Sequence, residues 1–172
     1  MRLLIYGFGP YGHYQQNVTE LILQKLPNRM WLRKVLFPVK FQRDQFIKVI
    51  RRFKPDVIIG LGQCSRGGRL RIEARAVNKR RNDKSAKPRP IVSGGSRTLI
   101  TNLKLPLGRQ AIASNNAGEY VCNYSMYVIL DFLKRHHHPI RFGFVHVPYR
   151  YDPRKAVRSL MRTIGKIESV VE

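Results

Sequence analysis

The stretch DVIIGLG, residues 56–62, decides the fold class. After its first residue the run is apolar throughout, and it has the length of a strand, which we predict at Asp56–Leu61. A strand without a polar face is typical of a parallel sheet that helices cover on both sides. The stretch therefore predicts a buried central strand in an α/β protein.

Helices and strands alternate on both sides of this central strand. The other predicted strands are Arg2–Tyr6, Trp31–Val39, Leu70–Val77, Ala111–Ser114 and Phe142–Val147. The predicted helices are one from a cap at Asn17 or Thr19 to Leu26, Phe41–Phe53, Gly118–Arg135, and a last one from about Pro153. This order predicts a three-layer α/β/α sandwich with a mostly parallel twisted sheet. No repeat or compositional break interrupts the chain, so we expect a single domain over residues 1–172.

Two segments differ from this regular pattern. Leu70–Val77 alternates between apolar and charged residues, which predicts a half-exposed strand with Glu73 on its polar side. Residues 78–97 are rich in Lys, Arg, Pro, Ser and Gly, so we predict a long mobile loop there.

The charge of the chain is strongly unbalanced, with 33 Lys and Arg against 10 Asp and Glu, a net charge of +23. Such a charge attracts polyanions. The last predicted helix adds a basic stripe at steps of four: Arg154, Arg158, Arg162 and Lys166. Because no known nucleic-acid-binding motif accompanies it, two interpretations stay open, a solvated surface or binding of nucleic acid or another polyanion.

The apolar residues, 43% of the chain, exclude a disordered polyelectrolyte. No apolar run has the length of a membrane span, and the N-terminal sequence lacks a signal-peptide pattern. We therefore expect a cytoplasmic protein without membrane contact. The two cysteines, Cys64 and Cys122, form no disulfide framework and no metal-binding pattern, so we expect no metal.

The stretch GFGPYG, residues 7–12, has the glycine spacing of a dinucleotide-binding turn. Such a turn needs a helix that begins at the glycines, whereas the first credible cap here, Asn17, lies well beyond them. No acidic residue that could bind a ribose occurs in residues 21–43. We therefore expect no nucleotide cofactor; NADP held by Lys40 and Arg43 is the weaker alternative.

A more informative stretch is SNNAGEYVCNYSMY, residues 114–127. Asn115 or Asn116 is predicted to cap a helix, which places Cys122 in its first turns. The positive end of a helix stabilises a thiolate, so Cys122 is the candidate nucleophile. His146 ends a predicted buried strand, where an α/β sheet gathers its functional groups, and it is the candidate base.

A third group is needed to orient the imidazole, and Glu73 is the candidate. Its alternative role is an ion pair with Arg71 or Arg75, and the alternative for His146 is a structural histidine at a strand end. We assign no role to Cys64.

Five stretches together resemble the pyroglutamyl-peptidase I family, in which they occur in the same order. They are GFGPYG with NVT, KPDVIIGLGQ, IEARAVN, SNNAGEYVCNYSMY and FVHVPY. The resemblance implies an α/β/α fold and a cysteine peptidase that removes an N-terminal pyroglutamyl residue, with no metal or cofactor. It implies that Cys122, His146 and Glu73 are catalytic, and that the substrate is bound by Phe8, Tyr11, Asn17, Gln63, Tyr120 and Val121.

The chain also departs from the family pattern. Residues 79–90 read KRRNDKSAKPRP where the family has Asp-Ala-Arg-Ile-Pro-Asp-Asn, and two family segments are shortened. The partner expected is a peptide with a blocked, pyroglutamyl N-terminus, and the family's tetramer is not assured. The alternative function is an altered peptidase-like scaffold that binds nucleic acid or another polyanion.

Overall fold

A computed structural model describes residues 1–65, 67–83 and 85–169. Its strands are β1 (Leu3–Phe8), β2 (Leu32–Phe37), β3 (Val57–Cys64), β4 (Leu70–Glu73), β5 (Arg75–Val77), β6 (Thr98–Ile100), β7 (Ala111–Ser114) and β8 (Arg141–Pro148). Its α-helices are α1 (Val18–Lys25), α2 (Arg43–Phe53), α3 (Val121–Arg135) and α4 (Pro153–Glu168). No helix in the described part of the chain is both long and apolar enough to cross a membrane.

Six strands form one sheet in the order β2-β1-β3-β8-β4-β7. The first four are parallel to one another, β4 is antiparallel to β8, and β7 is parallel to β4. The DVIIGLG stretch lies in β3, which is buried from Val57 to Gln63 between β1 and β8. This mostly parallel sheet confirms the predicted fold class.

Helices cover both faces of the sheet in pairs. Leu3 and Ile5 of β1 pack on the face covered by α1 and α4, whereas Leu4 and Tyr6 pack on the face covered by α2 and α3. Because successive side chains of a strand point to opposite faces, a strand covered on both sides must be apolar throughout. The double cover thus explains why β1, β3 and β8 are mostly apolar.

The prediction of one half-exposed strand over Leu70–Val77 is wrong. The chain leaves the main sheet after Glu73, and β5 pairs with β6 in a separate two-stranded sheet. Glu73 is only 1% exposed although the charge alternation placed it on the polar side. Its strand, β4, pairs with β8 and β7, so Glu73 lies opposite Phe144 of β8 and away from solvent.

The segment predicted as a mobile loop, residues 78–97, has hydrogen-bonded structure in its described part. The Asn78 side chain accepts hydrogen bonds from the N–H groups of Ile91 and Val92 at 2.8 and 2.9 Å. Its Nδ2 donates to the Val92 carbonyl at 2.8 Å, and Arg80 and Arg89 form an isolated β-bridge. One asparagine therefore closes this loop on itself.

We expect Gly60→Ala to destabilise the sheet. A Cβ added at Gly60 would lie 2.4 Å from the Phe144 ring and 2.6 Å from the Tyr6 ring. Both rings are fully buried, so the free energy of unfolding should fall by about 1–3 kcal/mol, the usual cost of overpacking a core. Denaturant unfolding measures this change.

Gly165→Ala is the matched control, because an added Cβ in this exposed part of α4 meets no atom within 4 Å. There alanine should raise the free energy of unfolding by about 0.5–1 kcal/mol through its better helix propensity. Equal effects of the two substitutions would contradict this account of β3 packing.

Candidate active site

A cleft of about 270 Å³ opens where β1, β3 and β8 end and α3 begins. The carboxyl edge of parallel strands is the usual place for a site in an α/β sheet. The described residues that line the cleft are Phe8, Tyr11, Asn17, Val39, Gln63, Cys64, Ser65, Arg71, Asn116, Ala117, Gly118, Tyr120, Val121, Cys122 and His146.

Cys122 is the second residue of α3. The residue that caps the helix is Tyr120, so the prediction of a cap at Asn115 or Asn116 is wrong. Asn116 instead closes a turn, in which its Oδ1 accepts from the N–H of Gly118 at 3.0 Å. The first-turn N–H groups of α3 have no carbonyl one turn earlier, so their partial positive charge favours a thiolate at Cys122.

Asn123, the next residue, anchors this end of α3. Its Oδ1 accepts from the Val77 N–H at 2.9 Å, and its Nδ2 donates to the carbonyls of Val77 and Lys79 at 2.9 and 2.8 Å. Asn123 is fully buried, so these bonds form where water cannot compete. They fix the start of the helix, and with it the sulfur of Cys122, relative to β5.

His146 and Glu73 form a buried hydrogen bond. Nδ1 of His146 lies 2.8 Å from Oε1 of Glu73, and the two residues are 7% and 1% exposed. The alternative ion pair of Glu73 with Arg71 or Arg75 is not formed; Arg75 donates to the Asn115 carbonyl at 2.9 Å instead. Because Glu73 occupies Nδ1, the other ring nitrogen, Nε2, is the one that can act on the neighbouring Cys122.

Gly62 makes room for this contact. A Cβ at Gly62 would lie 2.7 Å from the Cys122 sulfur and 3.0 Å from Cδ2 of His146. Sequence reasoning missed the role of Gly62, although a glycine inside an apolar strand often marks a close approach.

Burial and the neighbouring side chains shift the pKa of His146 in opposite directions. Burial is the largest influence and lowers the pKa, because it disfavours the imidazolium ion. The neighbouring Cys122, followed by the hydrogen bond to Glu73, raises it, and the resulting pKa of His146 is about 9, above the ordinary 6.5. The imidazole is therefore protonated at neutral pH, which suits a thiolate–imidazolium pair.

Gln63 offers an unused hydrogen-bond donor in the cleft. Its Oε1 accepts from the Val18 N–H at 2.8 Å, whereas its Nε2 has no partner of normal geometry among the described residues. Gln63 is 6% exposed. An unpaired buried donor costs free energy and is typical of a binding site.

Asn17, by contrast, has most of its hydrogen-bonding capacity occupied. It caps α1, and its Oδ1 accepts from the N–H and the hydroxyl of Thr19 at 3.0 and 2.8 Å. Its Nδ2 donates to the Gly9 carbonyl at 3.0 Å, which leaves one amide hydrogen for a ligand.

The remaining predicted binding residues form an apolar and aromatic wall: Phe8, Tyr11, Tyr120 and Val121. The rings of Tyr11 and Tyr120 lie 6.4 Å apart. Burial, followed by the nearby Cys122, raises the pKa of Tyr11 to about 12, so its phenol stays neutral. All nine residues predicted for the site are brought together here, eight in the cleft lining and Glu73 directly behind His146.

Sequence reasoning missed Arg71 as a cleft residue. The sequence suggests this arginine only as an ion-pair partner of Glu73. Its position could have been found only from the pairing of β4 with β8, which places Arg71 opposite His146. No group of three or more potential metal ligands occurs among the described residues.

A cysteine at the start of a helix, beside an imidazole that a buried carboxylate orients, defines a thiol hydrolase. The comparisons with known proteins agree with this class. The family model described as pyroglutamyl peptidase matches residues 1–161. This chain belongs to the pyroglutamyl peptidase family.

Individual relatives support the same assignment. The pyrrolidone-carboxylate peptidases of Clostridium botulinum and Pyrococcus furiosus are each 31% identical over 87% of this chain, and the match covers 79% and 81% of theirs. A solved mutant pyrrolidone carboxyl peptidase from Pyrococcus furiosus superposes with a TM-score of 0.84 at 26% identity, covering 96% of this chain and 97% of that one.

We expect Glu73→Gln to lower the pKa of His146, because it removes a negative charge that favours the imidazolium. An NMR titration of the His146 ring measures the change. In the unaltered protein the ring should titrate near 9. Titration near 6.5 in both proteins would contradict the ion-pair account.

The raised pKa also links protonation of His146 to stability. Since the folded protein holds this proton more tightly than the unfolded chain, its stabilising effect is complete below pH 6.5 and is lost as the pH rises through about 9. Because Glu73→Gln lowers the pKa of His146, the free energy of unfolding should decline less steeply between pH 6.5 and 9 in this variant than in the unaltered protein.

Proposed function

We propose that this protein is a cysteine peptidase that removes an N-terminal pyroglutamyl residue from peptides through a thioester intermediate. The observation that carries the proposal is the buried hydrogen bond from Glu73 to His146, whose ring lies beside the Cys122 sulfur at Gly62 in the cleft. Membership of the pyroglutamyl peptidase family supports the substrate class.

In the first half of the reaction, the Cys122 thiolate attacks the pyroglutamyl carbonyl carbon. A carbon–sulfur bond forms, and the carbonyl oxygen becomes an oxyanion. The N–H groups of the first turn of α3, which lack a carbonyl one turn earlier, stabilise that charge. His146 then gives its proton to the leaving nitrogen, the carbon–nitrogen bond breaks, and the shortened peptide departs.

In the second half, the now neutral His146 takes a proton from water as the water oxygen attacks the thioester carbonyl. The carbon–sulfur bond breaks, pyroglutamate leaves, and the thiolate is again paired with an imidazolium. Glu73 is a positioning residue throughout, because it holds Nδ1 and so keeps Nε2 directed at the sulfur.

The pyroglutamyl ring is a neutral lactam and suits a pocket that is apolar apart from a few directed hydrogen bonds. Gln63 Nε2, which has no hydrogen-bond partner of normal geometry among the described residues, is the donor for the lactam carbonyl oxygen. Phe8, Tyr11, Tyr120 and Val121 contact the ring, and the free amide hydrogen of Asn17 supplies a further donor.

We expect Cys122→Ala to abolish cleavage of a pyroglutamyl amide reporter while the melting temperature stays close to that of the unaltered protein, since the side chain is only partly buried. Fluorescence release measures the cleavage. Prolyl and free-amine amides are the substrate controls. Equal turnover by both proteins would disprove the role of Cys122.

Thiol labelling supplies a second readout. The chain has two cysteines, so in the Cys64→Ala variant Cys122 is the only thiol. Iodoacetamide should still inactivate that variant with one alkyl group per chain. Retained activity after complete alkylation would mean that the thiol takes no part in the reaction.

We expect Gln63→Glu to lower kcat/KM for the reporter by about tenfold or more, because the change keeps an acceptor for Val18 but removes the donor for the lactam. Steady-state kinetics measures the effect, and thermal unfolding checks that the fold survives. An unchanged kcat/KM would remove Gln63 from the binding site.

Several sequence-based expectations stay predictions. The Arg154, Arg158, Arg162 and Lys166 stripe is exposed on α4, but no described contact or relative ties it to a nucleic acid. Polyanion binding, oligomer formation and a cytoplasmic location stay expectations from the sequence and are not part of the proposed function. The family match over residues 1–161 supports one domain.

A further inference from the structure

We infer that Arg71 binds a carboxylate on the residue that follows the scissile bond, so that the enzyme favours pyroglutamyl substrates carrying that charge. The inference rests on the proposed function and specifies the leaving side of the same site.

Arg71 stands beside the reacting groups. It lines the cleft together with Cys122 and His146, and the antiparallel pairing of β4 with β8 makes it the direct partner of His146. Side chains of such partners point to the same face of the sheet, with Cβ atoms about 4.5–5.5 Å apart. Glu73, two residues further along β4, shares that face and contacts the same imidazole.

The reaction itself places the leaving residue near Arg71. The leaving nitrogen must approach Nε2 of His146 to receive its proton, so the residue that carries this nitrogen lies next to the imidazole. The acyl side of the cleft, with Gln63 and Phe8, is occupied by the lactam ring. A charge on the leaving residue is therefore within reach of the Arg71 side chain.

The guanidinium of Arg71 is half-buried and lacks a counter-ion in the described part of the chain. The ion pairs found there involve Arg43, Arg81, Arg135 and His146, and no described residue lining the cleft is an Asp or a Glu. A guanidinium offers five donors in a planar fork that matches a carboxylate. A carboxylate is thus the group that this part of the cleft lacks.

The adjoining loop is shaped around the same side chain. Gly67 has a φ of +97°, and a Cβ there would lie 3.3 Å from Nη2 of Arg71. A glycine at this position therefore leaves the space that the guanidinium occupies. The net charge of +23 further favours the approach of anionic substrates.

Four substrates test the inference. Pyroglutamyl-glutamate amide and pyroglutamyl-glutamine amide differ only in a side-chain charge, and pyroglutamyl-alanine and its amide differ only in a terminal carboxylate. The unaltered protein should cleave at least one charged member with a kcat/KM about tenfold above its neutral partner. The pair that shows the preference identifies the source of the carboxylate.

The variants are Arg71→Gln and, as a matched control, Arg75→Gln, which removes an exposed arginine four residues away on the next strand. The ratio of kcat/KM for the charged substrate to that for its neutral partner should fall to about one in Arg71→Gln and stay unchanged in Arg75→Gln. In the unaltered protein this ratio should decrease with added salt. No preference in the unaltered protein would overturn the inference. An equal loss on all four substrates in Arg71→Gln would also overturn it, since that result means that Arg71 acts only on the thiolate.

Alkylation separates this inference from the proposed function. Iodoacetate and iodoacetamide react with a thiolate in the same way, but only iodoacetate carries a carboxylate. Mass spectrometry follows the alkylation of Cys122 by each reagent. The rate with iodoacetate divided by the rate with iodoacetamide should fall about tenfold in Arg71→Gln and should not change in Arg75→Gln. If no pyroglutamyl substrate is cleaved, the proposed function fails, and this ratio alone supports or overturns a carboxylate site at Arg71.

Discussion

The buried hydrogen bond between Glu73 and His146 is the interaction on which the site depends. A carboxylate that is 1% exposed is costly unless a charged partner compensates its lost hydration. Only one oxygen of Glu73 has a partner in the described structure, so His146 carries most of this compensation. The same contact orients the imidazole towards Cys122 and favours its protonated form.

This contact exists because β4, like its neighbour β7, runs opposite to the other four strands of the sheet. In β1, β3 and β8 the carboxyl ends lie together, whereas β4 enters antiparallel beside β8. Residues from the middle and the end of β4 thereby meet the carboxyl end of β8. This reversal sets Arg71 opposite His146 and lets Glu73 hydrogen bond to the imidazole, so an acidic group orients the ring and a cationic side chain lines the cleft beside it.

Packing and chemistry share the same residues around the cleft. Gly62 lets β3 approach Cys122 and His146, Asn123 ties the first turn of α3 to β5, and Asn17 both caps α1 and lines the cleft. Gln63 accepts a hydrogen bond from α1 while leaving its amide nitrogen unpaired. The residues that line the cleft are therefore also held by hydrogen bonds and packing to the elements around it.

The sequence alone determined the layers of this protein and pointed to the candidate reactive groups. The apolar run of β3 and the alternation of helices and strands are local patterns, and they were enough to predict an α/β/α sandwich. Cys122 and His146 were found because each stands at a recognisable end of a helix or strand. The burial of Glu73, the cap at Tyr120, and the place of Arg71 beside His146 were decided only by the tertiary structure. Each of them depends on which strands pair and on where the chain turns between elements, and those contacts join residues that are far apart in the sequence.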